Sequence, residues 1–313
     1  VSIDNTEHIF ITGGCGFLGK CLLEKWHDQF NITVYNRDEY KQYLLKKQYP
    51  NINFVLGDIR DYDRMLDASK NCTRAVFAAS MKQIDACTDN PEEAISTIIN
   101  GAINSKKISI KNKFTSACFI STDKSRNASN LYGGAKFVAG ESFILNPPDK
   151  TFLNSVIYGN VFNSSGSLLE MLNIALKNKQ SLKLFNEEMT RFGIFPDRAI
   201  DLIEIALFGK YSGSNIVPKL WSFKVKDVFD IYKEKFGLSY SMDKPRTGEK
   251  IHEILLSSND AERTIFDEEL DIFVNYPNST FETLGFSGGD YSSKDNCISK
   301  NQLYSLLKEK NII

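Results

Sequence analysis

The sequence predicts an α/β protein built on a doubly wound parallel sheet, with a smaller lobe contributed by its C-terminal half. Two observations predict it. Short runs rich in β-branched and aromatic residues, "HIFIT", "ITVY", "INFVL", "RAVFAA", "ACFIST" and "LNSVIY", alternate with amphipathic stretches. Such alternation places parallel strands between two layers of helices. The connection after the first run is glycine-rich, "ITGGCGFLGK" at 11–20, and opens what reads as a helix.

Taken in order, the six strands and this first turn place the doubly wound domain over residues 1–155. After Tyr158 the regularity weakens. Loops such as "GNVFNSSGS" separate helices expected near 167–178, 196–208 and 224–237, and the loop-like "NSTFETLGFSGGDYSSKDN" precedes a last helix around 299–309. Residues 156–313 are therefore expected to form mainly a lobe that closes over the carboxyl edge of the sheet, with some segments returning to the first domain. The chain carries no internal repeat.

At 313 residues, 42% hydrophobic and with 38 basic against 39 acidic side chains, the chain has a large core and almost no net charge. That excludes a nucleic-acid or membrane-surface binder as a whole. The six cysteines are scattered without CxxC spacing, which points to a reducing compartment, and no metal site is assigned. No run approaches the ~20 apolar residues of a membrane span, and residues 1–12 lack the pattern of a signal peptide. A cytoplasmic protein is the expectation.

In the glycine-rich turn, Gly13 is suited to the tight bend, Gly16 to close approach of a pyrophosphate, and Gly19 to close packing of helix on strand. After the second strand, "YNRDEYKQ" puts Arg37 where a dinucleotide's adenosine ribose would lie, in place of the acid that binds a free 2′-hydroxyl. An Arg there favours a 2′-phosphate and hence NADP; the alternative is an ion pair with Asp38 or Glu39. Asp58, at the end of the third strand, is either an acceptor for the adenine amine or a helix N-cap.

The stretch "FISTDKSRNASNLYGGAK" (119–136) gathers two lysines, an acid and a tyrosine. Tyr132 and Lys136 stand at i and i+4 on a helix expected to begin near Asn130, and so share a face. An ammonium beside a phenol favours the phenolate, which makes Tyr132 a usable base. At this spacing alone the two form an ordinary helix pair; the Thr122 hydroxyl, ten residues earlier, gives them a shared target. Asp123 and Lys124, taken alone, are a solvated loop pair.

The glycines at 13, 16 and 19, Thr122 and the Tyr132-x-x-x-Lys136 pair resemble the extended short-chain dehydrogenase/reductase superfamily, whose doubly wound domain is of the Rossmann type. More narrowly, "STDKSRNASNLYGGAK" is similar to the UDP-N-acetylglucosamine 4,6-dehydratases of the polysaccharide biosynthesis protein family, where Thr is followed by Asp-Lys; the common 4,6-dehydratases carry Asp-Glu there and 4-epimerases neither. Further blocks in the same order, among them "AASMKQIDACTDNPEEAI", "YGNVFNSSGS", "EMTRF", "VPKLWSFKVKD" and "RTGEKIHEIL", extend the likeness over nearly the whole chain.

The resemblance implies an NADP-dependent enzyme in which Tyr132 takes the proton of the sugar's C4 hydroxyl while hydride passes to the nicotinamide. A neutral Lys124 then takes the C5 proton, and a protonated Asp123 donates to the departing C6 hydroxyl before hydride returns to C6. Lys124 must fall from ~10.4 toward 7 for this role, and Asp123 must rise from ~3.9. The resemblance also implies cofactor contacts from Phe17, Ile59 and Ala78, besides Gly13, Gly16, Gly19, Arg37, Asp58, Tyr132 and Lys136. It implies UDP-sugar contacts from Lys82, Asn160, Arg191, Arg246 and Glu249, with the arginines near the diphosphate. Lys82 reads equally well as a surface lysine. Inversion at C5 and a homo-oligomer are also expected.

Two positions depart from the family pattern: Ile98 replaces an Asn, and Ile157 an Arg. The competing readings are a sugar-nucleotide 4-epimerase or 4-keto reductase on the same fold, and a retired enzyme that keeps only cofactor binding.

Overall fold

The computed structural model describes residues 7–245, 247–282, 285–286 and 289–313. Its first half runs β1 (His8–Thr12), α1 (Phe17–Trp26), β2 (Asn31–Asn36), α2 (Glu39–Gln48), β3 (Asn53–Leu56), α3 (Tyr62–Ala68), β4 (Arg74–Phe77), α4 (Ile84–Asp89), α5 (Pro91–Ile95), α6 (Gly101–Lys111), β5 (Ser116–Ile120), α7 (Leu131–Ile144) and β6 (Phe152–Val156). The second half adds β7 (Asn160–Val161), α8 (Leu168–Lys177), β8 (Leu182–Leu184), β9 (Thr190–Ile194), α9 (Pro196–Phe208), β10 (Ser214–Pro218), β11 (Ser222–Lys224), α10 (Val225–Phe236), β12 (Tyr240–Met242), β13 (Ile254–Leu256), β14 (Thr264–Asp267), β15 (Ile272–Asn275), β16 (Tyr291–Ser292) and α11 (Lys300–Glu309).

Helix starts follow the local chemistry. Asp38, Asp61, Asn130 and Ser167 each cap a helix by accepting a backbone N–H three residues on, and Pro196 opens α9, where its missing N–H costs nothing.

The main sheet runs β3-β2-β1-β4-β5-β6-β10-β15-β14. Neighbours pair in parallel as far as β10, and β15 and β14 pair antiparallel beyond it. Six strands are expected from the sequence; nine form, because the chain returns to the sheet between residues 214 and 275. β10 is illegible as a strand because it begins with Ser214 and Asn215, both buried. Asn215 is satisfied there by donating to Glu141 and Asn275, so its polarity is compatible with burial.

Each sheet face is covered by helices. On one side α9 lies on β5 and β6 and buries Leu202, Ile203, Ala206 and Leu207 completely or nearly so; a buried Leu or Ile contributes ~1.5–3 kcal/mol. On the other, α6 and α7 pack around Phe77, Phe119 and Phe143. Between α5 and α6, residues Ser96–Asn100 form a π-helical turn. The smaller lobe has its own core around Phe162, Leu172, Phe223 and Tyr232, with α8, α10 and α11 packed on it. Among the described residues, no helix is long and apolar enough to cross a membrane.

Candidate active site

Strand order reverses between β1 and β4, and a crevice outside the carboxyl ends of the strands is the expected ligand site of such a sheet. A cavity of about 670 Å³ opens there. Gly13 sits at φ +70°, and a Cβ on it would lie 2.8 Å from the backbone N of Ala79; a Cβ on Gly19 would lie 2.4 Å from Cα of Gly14. Gly16 caps α1. The turn therefore packs closely on the strand ends without side chains at 13 and 19, and the N-terminus of α1 lies at the cavity, which fits a dinucleotide's pyrophosphate. Phe17, Ile59 and Ala78 line the same cavity.

At its far end Arg37 is 65% exposed and 3.9 Å from an Asp58 oxygen. The predicted pairing with Asp38 or Glu39 does not form: Asp38 caps α2 and pairs with Lys41 at 2.9 Å. Asp58 is not a helix cap either. Asp61 caps α3, and Asp58 is gripped by Arg60 at 2.7 Å, whose guanidinium holds its carboxyl below the usual range.

Thr122, Lys124, Tyr132, Lys136, Lys82 and Asn160 line the cavity as well. β5 ends in a 3-10 turn over Asp123–Ser125, with the Thr122 hydroxyl accepting from the Lys124 N–H at 3.4 Å. Gly133 of α7 makes the close approach possible, since a Cβ there would lie 2.3 Å from the Lys124 carbonyl oxygen.

Asp123 is fully buried beneath the cavity floor. One of its oxygens accepts from Thr122 Oγ1 at 3.0 Å and from Lys124 Nζ at 3.1 Å; the other, Oδ2, is buried without a partner. Burial raises the Asp123 carboxyl, as the expected acid role demands. Lys124 goes the other way from expectation. Burial depresses it, but the carboxylates of Asp123 and Glu253 outweigh burial and hold its ammonium above the usual lysine value. A proton on Asp123, which its unpartnered oxygen favours, leaves Glu253 as the anion facing Lys124.

The expected lowering of the Tyr132 phenol by Lys136 is also not what the fold sets up. Burial pushes Tyr132 up to about 12, opposed by the Lys124 cation and the Thr122 hydroxyl. Lys136 instead donates to the Ile120 carbonyl at 2.8 Å, and burial brings it down to about 8.

The smaller lobe supplies the roof. Lys82 is an exposed lysine, as one of its two sequence readings has it, and it donates to the Ser165 carbonyl across the cavity mouth. Asn160 Oδ1 lies 3.4 Å from Lys124 Nζ. Arg191 departs from the expected open fork for a diphosphate. Its donors go to the carbonyls of Thr190 at 2.7 Å and Lys250 at 3.0 Å and to the Glu249 carboxylate, because the segment 249–251 closes over it. Arg246 lies outside the described residues.

Two residues were missed. Glu253, 2% exposed, faces Lys124, Arg191 and Lys250; the signal was a charge set directly against the apolar run "ILL". Thr97 lines the cavity from the π-helical turn with a buried hydroxyl that has no partner. Neighbouring Ile98, where the family Asn is absent, is buried in the apolar cluster that includes Tyr132.

The extended short-chain dehydrogenase/reductase class is the one that this strand order and this arrangement at the sheet's carboxyl edge define. Within it, the chain belongs to the polysaccharide biosynthesis protein family, whose profile matches residues 9–274. It is 31% identical over 271 residues to a UDP-N-acetylglucosamine 4,6-dehydratase (inverting) of Campylobacter jejuni, covering 83% of this chain and 80% of that one. It is 30% identical over 272 residues to a UDP-glucose 4-epimerase of Rickettsia typhi, covering 82% and 79%. Among solved structures, Pen from Bacillus thuringiensis superposes with a TM-score of 0.92 at 27% identity, covering 100% of both chains.

Proposed function

We propose that the protein is an NADP-dependent UDP-N-acetylglucosamine 4,6-dehydratase that inverts C5. The observation that carries this is the Asp123–Lys124 pair, joined at 3.1 Å: Lys124 lines the cavity with Thr122 and Tyr132, and Asp123 is buried directly behind it. Epimerisation or reduction at C4 needs neither a base at C5 nor an acid at C6, whereas dehydration needs both. The Campylobacter relative supports the choice of sugar and the inversion.

A bound NADP supplies the hydride acceptor for C4 and the donor for C6. Tyr132 takes the proton of the C4 hydroxyl, whose oxygen Thr122 holds. Lys124, once neutral, takes the C5 proton. Asp123, whose neutral form burial favours, is assigned to protonate the C6 oxygen, which leaves as water; its carboxyl reaches the sugar only after turning out from beneath the cavity floor. After water leaves, C6 receives the hydride and C5 a solvent-derived proton on the opposite face, which completes the inverted product. Asn160, Lys82, Glu249, Arg191 and Arg246 are assigned to the nucleotide sugar; Arg191 reaches it only after exchanging part of its present bonding. Lys136, Gly13, Gly16 and Arg37 are assigned to the cofactor.

One observation favours the 4-epimerase reading: the carboxylates of Asp123 and Glu253 lie 3.1 and 3.7 Å from Lys124 Nζ and favour its ammonium form, which cannot take a proton from C5. Mass spectrometry separates the two. Incubated with UDP-N-acetylglucosamine, the protein is expected to yield a nucleotide sugar lighter by one water. A product of unchanged mass with the C4-epimeric sugar would replace the dehydratase reading by the epimerase one.

A further inference from the structure

Glu253 stands just before β13, and its backbone is fixed on both sides by Ser293: its N–H donates to Ser293 Oγ at 2.9 Å, and its carbonyl accepts the Ser293 N–H at 2.8 Å. The side chain is 3% exposed. Its Oε1 lies 3.7 Å from Lys124 Nζ and 3.9 Å from Arg191 Nε, and its Oε2 lies 3.3 Å from Lys250 Nζ. One buried anion therefore serves three cations, which come from the turn after β5, from β9 and from the segment before β13. The other groups facing Lys124 are Asp123 on its own turn, Asn160 on β7 and Tyr132 on α7.

We infer that Glu253 is the positioning residue for Lys124: it is the counter-ion that fixes the Lys124 ammonium at the cavity floor and governs how readily that amine gives up its proton. The geometry supports this in two ways. Asp123 already shares one oxygen between Thr122 and Lys124 and is driven toward its neutral form by burial, so it is a poor permanent counter-ion. Glu253 has the opposite balance. Three cations outweigh its burial and keep it ionised. Lys250 and Arg191 compete with Lys124 for the same carboxylate, so any regrouping of the segment 249–251 around a bound diphosphate alters the charge that Lys124 feels. The significance of this for catalysis rests on Lys124 acting at C5.

The test needs no substrate. Lysine acetylation by acetic anhydride at pH 9, followed site by site by mass spectrometry, reports the fraction of each amine that is neutral. In Glu253→Gln the Lys124 rate is expected to rise about tenfold, the equivalent of one unit in pKa, while Lys136 in the same cavity keeps its rate. Glu253→Asp is expected to restore a rate near that of the parent protein. Equal gains at Lys124 and Lys136 would mean a loosened fold and would overturn the inference, as would an unchanged Lys124. If Glu253→Gln does not fold, Lys250→Met carries the test with the opposite sign: Lys124 acetylation is expected to fall, and no change or a rise would overturn it. A protein that fails to exchange C5 but shows these labelling shifts would lose the proposed activity and keep this inference.

Discussion

At the scale of single residues, the site is organised by where charge is tolerated. Asp123 has one oxygen with two donors and one with none, in a place water does not reach. Burying an unpaired carboxylate oxygen costs several kcal/mol, and a proton removes most of that cost. An acid suited to protonating a leaving hydroxyl is thus a direct product of burial. Arg37 is the opposite case, an exposed cation whose ion-pair partner among the described residues, Asp58, is held more tightly by Arg60. It is free to meet a 2′-phosphate. Arg37→Ala is expected to weaken NADP binding at least tenfold and to leave NAD binding nearly unchanged, as read by fluorescence titration; equal loss for both would mean that Arg37 does not read the phosphate. The Asp123–Lys124 pair, which by itself reads as a solvated loop pair, was legible only through the resemblance of "STDKSRNASNLYGGAK" to the dehydratase family. Glu253 was not, since its meaning lies in partners at 124 and 191 that only the fold brings near.

At the scale of elements, α7 joins both halves of the chemistry. Asn130 caps it, accepting from the Gly133 N–H at 3.0 Å, and its first turns present Tyr132 and Lys136 to the cavity. Gly133 and Gly134 look alike in the sequence and differ in space. A Cβ at 133 would strike the Lys124 carbonyl at 2.3 Å, whereas a Cβ at 134 would meet nothing within 4 Å. Gly134→Ala is expected to stabilise the protein by about 0.5–1 kcal/mol, through reduced chain entropy in the unfolded state and better helix propensity. Gly133→Ala is expected to displace the Asp123–Ser125 turn and lower both melting temperature and activity. Thermal melts of the two variants check this, and a shared sign would count against the packing described here. The start of α7 was readable from its cap and spacing. The π-helical turn at Ser96–Asn100 was not, because "STIIN" carries nothing that separates it from the helices on either side.

At the scale of the whole molecule, the sheet and the smaller lobe are interleaved. β10, β14 and β15 extend the sheet built by the first half, and α9 covers its face, so the cavity lies where one continuous framework meets the lobe that supplies Asn160 and the Arg191–Glu249–Glu253 cluster. The alternation of strands and helices made the first half legible. The returning strands are no shorter than β3 and β4 and were hidden by their buried polar residues, Ser214, Asn215, Thr264 and Asn275. The proposed dehydration requires this framework to hold a C5 base and a C6 acid beside a sugar oriented for oxidation at C4. Proton NMR of UDP-N-acetylglucosamine incubated with the protein and NADP in deuterated water tests it most directly. The expected result is a new C6 methyl signal with deuterium at C5, lost in Lys124→Ala with cofactor binding retained. A sugar that keeps its C6 hydroxymethyl group and its C5 proton would contradict it.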